Sequence, residues 1–139
     1  MIRPMETADL DAVMEIWLEA NLEAHHFIPA RYWRERLDGV REQLPRAEVH
    51  VWEENGAVQG FLGLQGEYLA GIFVRREVRS QDVGRHLLDA AKECRSRLVL
   101  HVYGRNLRAM AFYLREGFRC VAAGRDPDTG EREWEMAWR

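Results

Sequence analysis

Between Leu10 and Ala24 the apolar residues Leu10, Val13, Met14, Trp17 and Leu18 recur three and four apart, the spacing that lines one face of a helix. This predicts a first helix, with Ala8-Asp9 offering its N-cap and residues 2 to 5 forming a short edge strand before it. The segment Ala24-His25-His26-Phe27-Ile28-Pro29 breaks the pattern with a proline. A charged second helix carrying Tyr32, Trp33, Leu37, Val40 and Leu44 is predicted from Arg31 to Leu44, where Pro45 stops it. The period then falls to two. Val49, Val51 and Trp52 lead into Asn55-Gly56, and Val58, Phe61, Leu62 and Leu64 lead out, so a hairpin turns on the two residues best able to hold φ > 0. Tyr68 to Val74 reads as a third strand in this run, Gly84 to Arg95 as a helix, Leu98 to Val102 as a strand and Asn106 to Glu116 as a helix. Phe118 to Ala122 and Glu133 to Trp138 are two last strands, joined through Asp126-Pro127-Asp128-Thr129-Gly130. With no repeats and no linker, residues 1–139 read as one α/β (α+β) domain.

Composition narrows the class. A hydrophobic share of 47%, a charged share of 31% and a net charge of −3 supply a core without the charge excess of a disordered chain. The longest apolar stretch, Tyr68 to Val74, falls far short of the ~20 residues that cross a bilayer, so no membrane partner is expected. The first residues lack the basic and apolar regions of a secretory signal, and a cytoplasmic protein is expected. Acid and base are nearly balanced and no basic run occurs, which argues against nucleic-acid binding. Cys94 and Cys120 lie in segments that read as core, which suits reduced thiols better than a disulfide or a zinc site. Lys92 is the only lysine among the 20 basic residues.

The chemistry-bearing segment runs from Val74 to Arg85 and holds four arginines, Arg75, Arg76, Arg79 and Arg85, at a strand-to-helix turn. Such a turn presents successive backbone N–H groups and a positive helix end to an anion, and a phosphate-bearing ligand is the natural occupant. A solvated loop whose arginines pair with neighbouring carboxylates explains the same residues. Further on, Asn106 reads as an N-cap, Ala109, Phe112 and Tyr113 as a helix face, and Gly117 as a left-handed C-cap with Phe118 packed behind it.

Taken together, the hydrophobic strand, the arginine- and glycine-bearing loop and the series Asn106-x-x-Ala109-x-x-Phe112-Tyr113-x-x-x-Gly117-Phe118 resemble the acetyl-CoA signature of the GNAT superfamily of N-acetyltransferases, of the bacterial single-domain type. The order of elements resembles that family across essentially the whole chain. The resemblance implies the GNAT fold, a mixed central sheet of about six to seven strands flanked by about four helices. It implies direct transfer of an acetyl group from acetyl-CoA to a primary amine, on a small molecule or on a peptide or protein, with no metal. The backbone of Ile72, Phe73 and Val74 would pair with the pantetheine arm, as an added strand would. Arg79, Ser80, Gln81, Asp82, Val83, Gly84 and Arg85 would form the pyrophosphate loop, and Asn106 a polar cofactor contact. Tyr113 falls where the family places the acid that protonates the leaving thiolate, and His101 where protein N-acetyltransferases can carry a glutamate base.

An amine must lose its proton before it attacks, and an imidazole, ordinarily titrating near pH 6.5, suits that work. A strand histidine hydrogen-bonded within the sheet is the other reading of His101, and Glu53 and Glu67 stay open as bases. His25, Phe27, Tyr32 and Trp33 lie in the region that roofs the acceptor site in this fold, with core packing as their alternative. Adjacent His25 and His26 lack a third ligand, so no metal site is expected. His50 and His86 read as surface or structural. One departure from the family pattern stands out: Asp82 replaces the first motif glycine, setting a carboxylate where phosphate should approach, unless Arg79 or Arg85 neutralises it. A non-catalytic CoA-binding or ligand-sensing module is therefore the competing reading. A homodimer is left open.

Overall fold

A computed structural model describes residues 1–139, with the side chain of Ser80 outside the described atoms. Seven strands form one sheet: β1 (Ile2–Pro4), β2 (Glu48–Glu54), β3 (Ala57–Gln65), β4 (Tyr68–Val74), β5 (Leu98–Tyr103), β6 (Arg119–Arg125) and β7 (Arg132–Trp138), in the order β1-β2-β3-β4-β5-β7-β6. Every neighbouring pair is antiparallel except β4 and β5. The Asn55-Gly56 turn carries φ of 53° and 78°, the left-handed pair a tight hairpin requires.

Five helices flank the sheet: α1 (Leu10–Ala24), α2 (Ala30–Glu35), α3 (Leu37–Gln43), α4 (Val83–Cys94) and α5 (Leu107–Arg115). The single helix expected over Arg31 to Leu44 is divided at Arg36, where φ is −94° and ψ −5°. The division lets Trp33 enter the core while Leu37 and Val40 pack on it from the next helix. No helix among the described residues is long and apolar enough to cross a membrane.

The alternation along the strands feeds two cores. On one face Leu62, Leu69, Leu98 and Leu100 meet Leu87 and Leu88 of α4 and Tyr113 of α5. On the other, Val49, Val51 and Phe61 meet Val13, Ile16 and Trp17 of α1 and Trp33 of α2. Cys94 and Cys120 are free thiols but exposed, which corrects their reading as core. Cys120 lies on β6, the terminal strand of the sheet, all of whose residues are exposed. Lys92 donates from Nζ to the Glu116 carbonyl at 2.5 Å, with its ammonium 5.1 Å from the Trp138 ring centroid.

Candidate active site

The site begins with a defect in the sheet. β4 and β5 are in register at one pair alone, Tyr68 with Val99, and diverge beyond it. Parallel strands that part this way leave backbone groups of β4 without ladder partners on that side. A cleft of about 560 Å³ opens where they part, closed by the end of α1, the turn before α4 and the first turns of α5. Ile72, Val74, Arg79, Asp82, Gly84, Arg85, Asn106 and Tyr113, widely separated in sequence, line this one cleft.

The remaining residues expected around the cofactor are placed differently. The Phe73 side chain stacks on Phe61 at 4.9 Å on the other face, and Val83 is buried in the core, so both can offer only backbone. Gln81 is exposed in the turn, and the Ser80 side chain lies outside the described residues. Arg75 is structural: it pairs with Glu15 at 2.8 Å and donates to the Val58 carbonyl at 3.2 Å.

Asp82 sits at φ +60°, a conformation Asp tolerates better than most residues. The first intrahelical bond of α4 runs from His86 N to Asp82 O at 3.0 Å. The N–H groups of Val83, Gly84 and Arg85 therefore stand at the helix start without intrahelical acceptors, beside the cleft. The Arg85 guanidinium reaches the Asp82 carboxylate at 3.3 Å, so the charge at this position is partnered. Arg79 is held by Glu23 of α1, and that hydrogen bond is the main reason the Glu23 carboxyl is pulled below its ordinary range, with desolvation opposing it.

On α5, Asn106 caps the helix by accepting from Ala109 N at 3.2 Å, and Gly117 ends it at φ +93°. Tyr113 is 8% exposed, with its ring edge-on to Phe112 and Phe118. Burial, and secondarily neighbouring Tyr68, push its hydroxyl well above the ordinary tyrosine range, so it remains a proton donor.

His101 does not line the cleft. It lies on the opposite face of the sheet, with Nδ1 3.1 Å from the Tyr68 hydroxyl and Nε2 3.4 Å from Glu135. Glu133 follows on the same side of β7; burial raises its carboxyl above the usual range, with His101 opposing that rise. Glu53 is engaged by Arg3 of β1, and Glu67 lies 3.9 Å from Arg97. Tyr68, Glu133 and Glu135 escaped the sequence reading. The alternation of Glu133 and Glu135 with Trp134 and Met136 signalled one polar face of β7, but the pairing of that face with His101 was not readable.

The aromatic residues gather between α1 and α2. His25 stacks on Trp33 at 5.1 Å and meets Tyr103 and Phe27 edge-on. The Asn106 side-chain nitrogen lies 3.3 Å from His25 Nε2, which ties this cluster to the helix cap beside the cleft. Burial lowers the His25 pKa to about 4, leaving the ring neutral near pH 7. Trp33 is buried and acts as the platform beneath His25, so its expected contact with acceptor gives way to packing. Tyr32 lies under the Arg36 guanidinium at 3.3 Å, and Phe27 is half-buried. His50 pairs with Glu48 and His86 stacks on Trp52. Among the described residues no three His, Cys, Asp or Glu side chains are grouped to hold a metal ion.

The model of the Acetyltransferase (GNAT) family matches residues 10–118. The chain is 35% identical over 140 residues to the peptidyl-lysine N-acetyltransferase YiaC of Escherichia coli (strain K12), with 99% of this chain and 96% of that protein aligned. It is 30% identical over 131 residues to the peptidyl-lysine N-acetyltransferase YjaB of the same strain, with 94% and 89% aligned. The solution structure of apo YjaB from Escherichia coli superposes with a TM-score of 0.88 at 28% identity, covering 99% of this chain and 96% of that one.

Proposed function

The chain belongs to the acetyltransferase (GNAT) family, and from that premise we propose that it transfers an acetyl group from acetyl-CoA to the side-chain amine of a lysine in a peptide or protein. One observation carries the donor half of this reading: the cleft at the β4–β5 divergence gathers Ile72, Val74, Arg79, Asp82, Gly84, Arg85, Asn106 and Tyr113. The acceptor half rests on relatives that act on peptidyl lysine. Those relatives also favour an enzyme over a non-catalytic CoA-binding module. A cytoplasmic setting, where acetyl-CoA meets protein lysines, accompanies the reading.

The residues divide the work between the two faces of the sheet. Unladdered backbone of β4 receives the pantetheine amides, and the N–H groups opening α4, with Arg85 beside them, receive the pyrophosphate. Backbone N–H groups of β4 polarise the thioester carbonyl. His101 takes the proton that keeps the lysine amine from attacking, because an ordinary lysine is almost wholly protonated at neutral pH. Tyr113 protonates the departing sulfur, and no covalent enzyme intermediate is required. Phe27 and Tyr32 contact the acceptor from the α1–α2 side, with His25 fixed behind them.

A thiol-release assay with acetyl-CoA tests the reading over N-terminally blocked lysine peptides, the same peptides with arginine for lysine, and free polyamines. Release that depends on the peptide lysine supports the proposed acceptor. Release with polyamines alone would move the acceptor to small amines.

A further inference from the structure

The face of the site that looks away from the cofactor cleft carries a connected run of polar groups. Tyr68 occupies the one position where β4 and β5 are in register, at the apex of their divergence. Its hydroxyl lies 3.1 Å from His101 Nδ1, and Nε2 of the same ring lies 3.4 Å from Glu135 Oε1. With Glu135, which only accepts, 3.4 Å from Nε2, the tautomer that carries its proton on Nε2 leaves the Nδ1 lone pair to the Tyr68 hydroxyl. In that tautomer the nitrogen free to act as base accepts from the Tyr68 hydroxyl. The groups that face His101 are Tyr68 from β4 and Glu133 and Glu135 from β7, and both carboxylates carry the sign opposite to an imidazolium.

We propose that Tyr68 is a catalytic residue of the acetyl transfer: its hydroxyl meets the incoming ammonium, takes one proton from it and hands its own to His101 Nδ1, while Glu135 is a positioning residue that holds the ring. The proposal rests on the acetyltransferase reading above. The first ammonium proton leaves by this route and frees the nitrogen lone pair. As the C–N bond forms and the C–S bond breaks, nitrogen sheds a second proton. Sulfur gains one from Tyr113, which the second proton restores. One proton per turnover remains on His101 and passes to solvent, to which the ring is open.

The test compares Tyr68→Phe, His101→Ala and the double variant with acetyl-CoA and a lysine peptide. Tyr68→Phe keeps the ring and loses only the hydroxyl, so kcat is expected to fall about 10²-fold, the usual scale for a positioned proton carrier, with KM for acetyl-CoA unchanged. The double variant should be no slower than His101→Ala, since one broken link already interrupts the route. The acidic limb of the rate profile that His101→Ala abolishes should also be missing from Tyr68→Phe, and Glu135→Gln should move it, which a purely structural role would not do. Turnover of Tyr68→Phe within about twofold of the parent, or losses that multiply in the double variant, overturn the relay. A parent that binds acetyl-CoA yet releases no thiol with any acceptor overturns the acetyltransferase reading beneath it.

Discussion

Both oxygens of the Glu23 carboxylate, at the end of α1, hold the guanidinium of Arg79 in the turn before α4, at 2.5 and 3.0 Å. The two residues both line the cleft at the β4–β5 divergence. An arriving diphosphate competes with Glu23 for the same guanidinium. Glu23→Gln leaves a neutral rival, so acetyl-CoA affinity measured by calorimetry is expected to rise roughly two- to fivefold, the scale of a partly exposed ion pair. Weaker binding would mean that Glu23 presents Arg79 to the ligand instead of occupying it.

Asp82 sets charge against conformation. Asp82→Gly removes a carboxylate from the cleft wall and places at φ +60° the residue that adopts it without strain. Tighter acetyl-CoA binding is expected, with thermal stability unchanged or raised. Asp82→Val should lose about 1–2 kcal/mol of stability through left-handed strain. If neither the parent nor Asp82→Gly gives heat with acetyl-CoA, the cleft is not a cofactor site.

Tyr113→Phe keeps the packing on Phe112 and Phe118 and deletes the donor. Turnover should drop about 10²-fold or more, with the melting temperature and acetyl-CoA affinity nearly unchanged. Burial holds the hydroxyl protonated beyond the ordinary tyrosine range, so the parent rate should show no tyrosine-dependent decline as pH rises to about 10. Undiminished turnover in Tyr113→Phe would remove this residue from the mechanism.

His25 makes stability sensitive to acid. Its folded pKa, lowered to about 4 by burial, lies below the 6.5 of an exposed imidazole. Between those values the unfolded chain binds the proton and the folded one does not, so stability falls as pH drops through that window and levels off below it. His25→Gln should lose less melting temperature than the parent between about pH 7 and pH 4.5. Equal losses in the two proteins would show that His25 does not set the response.

The strands and α1 were legible because period two and period 3.6 are strong where one face is buried, and Asn55-Gly56 named its turn type. The break at Arg36 was not, since Trp33, Leu37 and Val40 satisfy one helical face about as well as two short ones. Around the cleft, strand, turn and capped helix lie within local motifs, so Ile72, Val74, Gly84 and Asn106 could be read and then located around one cleft. On β5, His101 meets Tyr68 from β4 and Glu135 from β7, contacts 33 residues apart in the first case. No local pattern announces which strand will lie beside β5.

Lys92 gives the proposed acceptor a practical counterpart. With every other basic side chain an arginine, the chain offers one lysine to its own activity, and that ammonium is spent on the Glu116 carbonyl and the Trp138 face. Intact-mass spectra taken during turnover should therefore show the catalyst's lysine unlabelled while peptide acceptors gain acetyl groups. Changing an exposed arginine such as Arg31 to lysine would convert the same molecule into a reporter of its own reach.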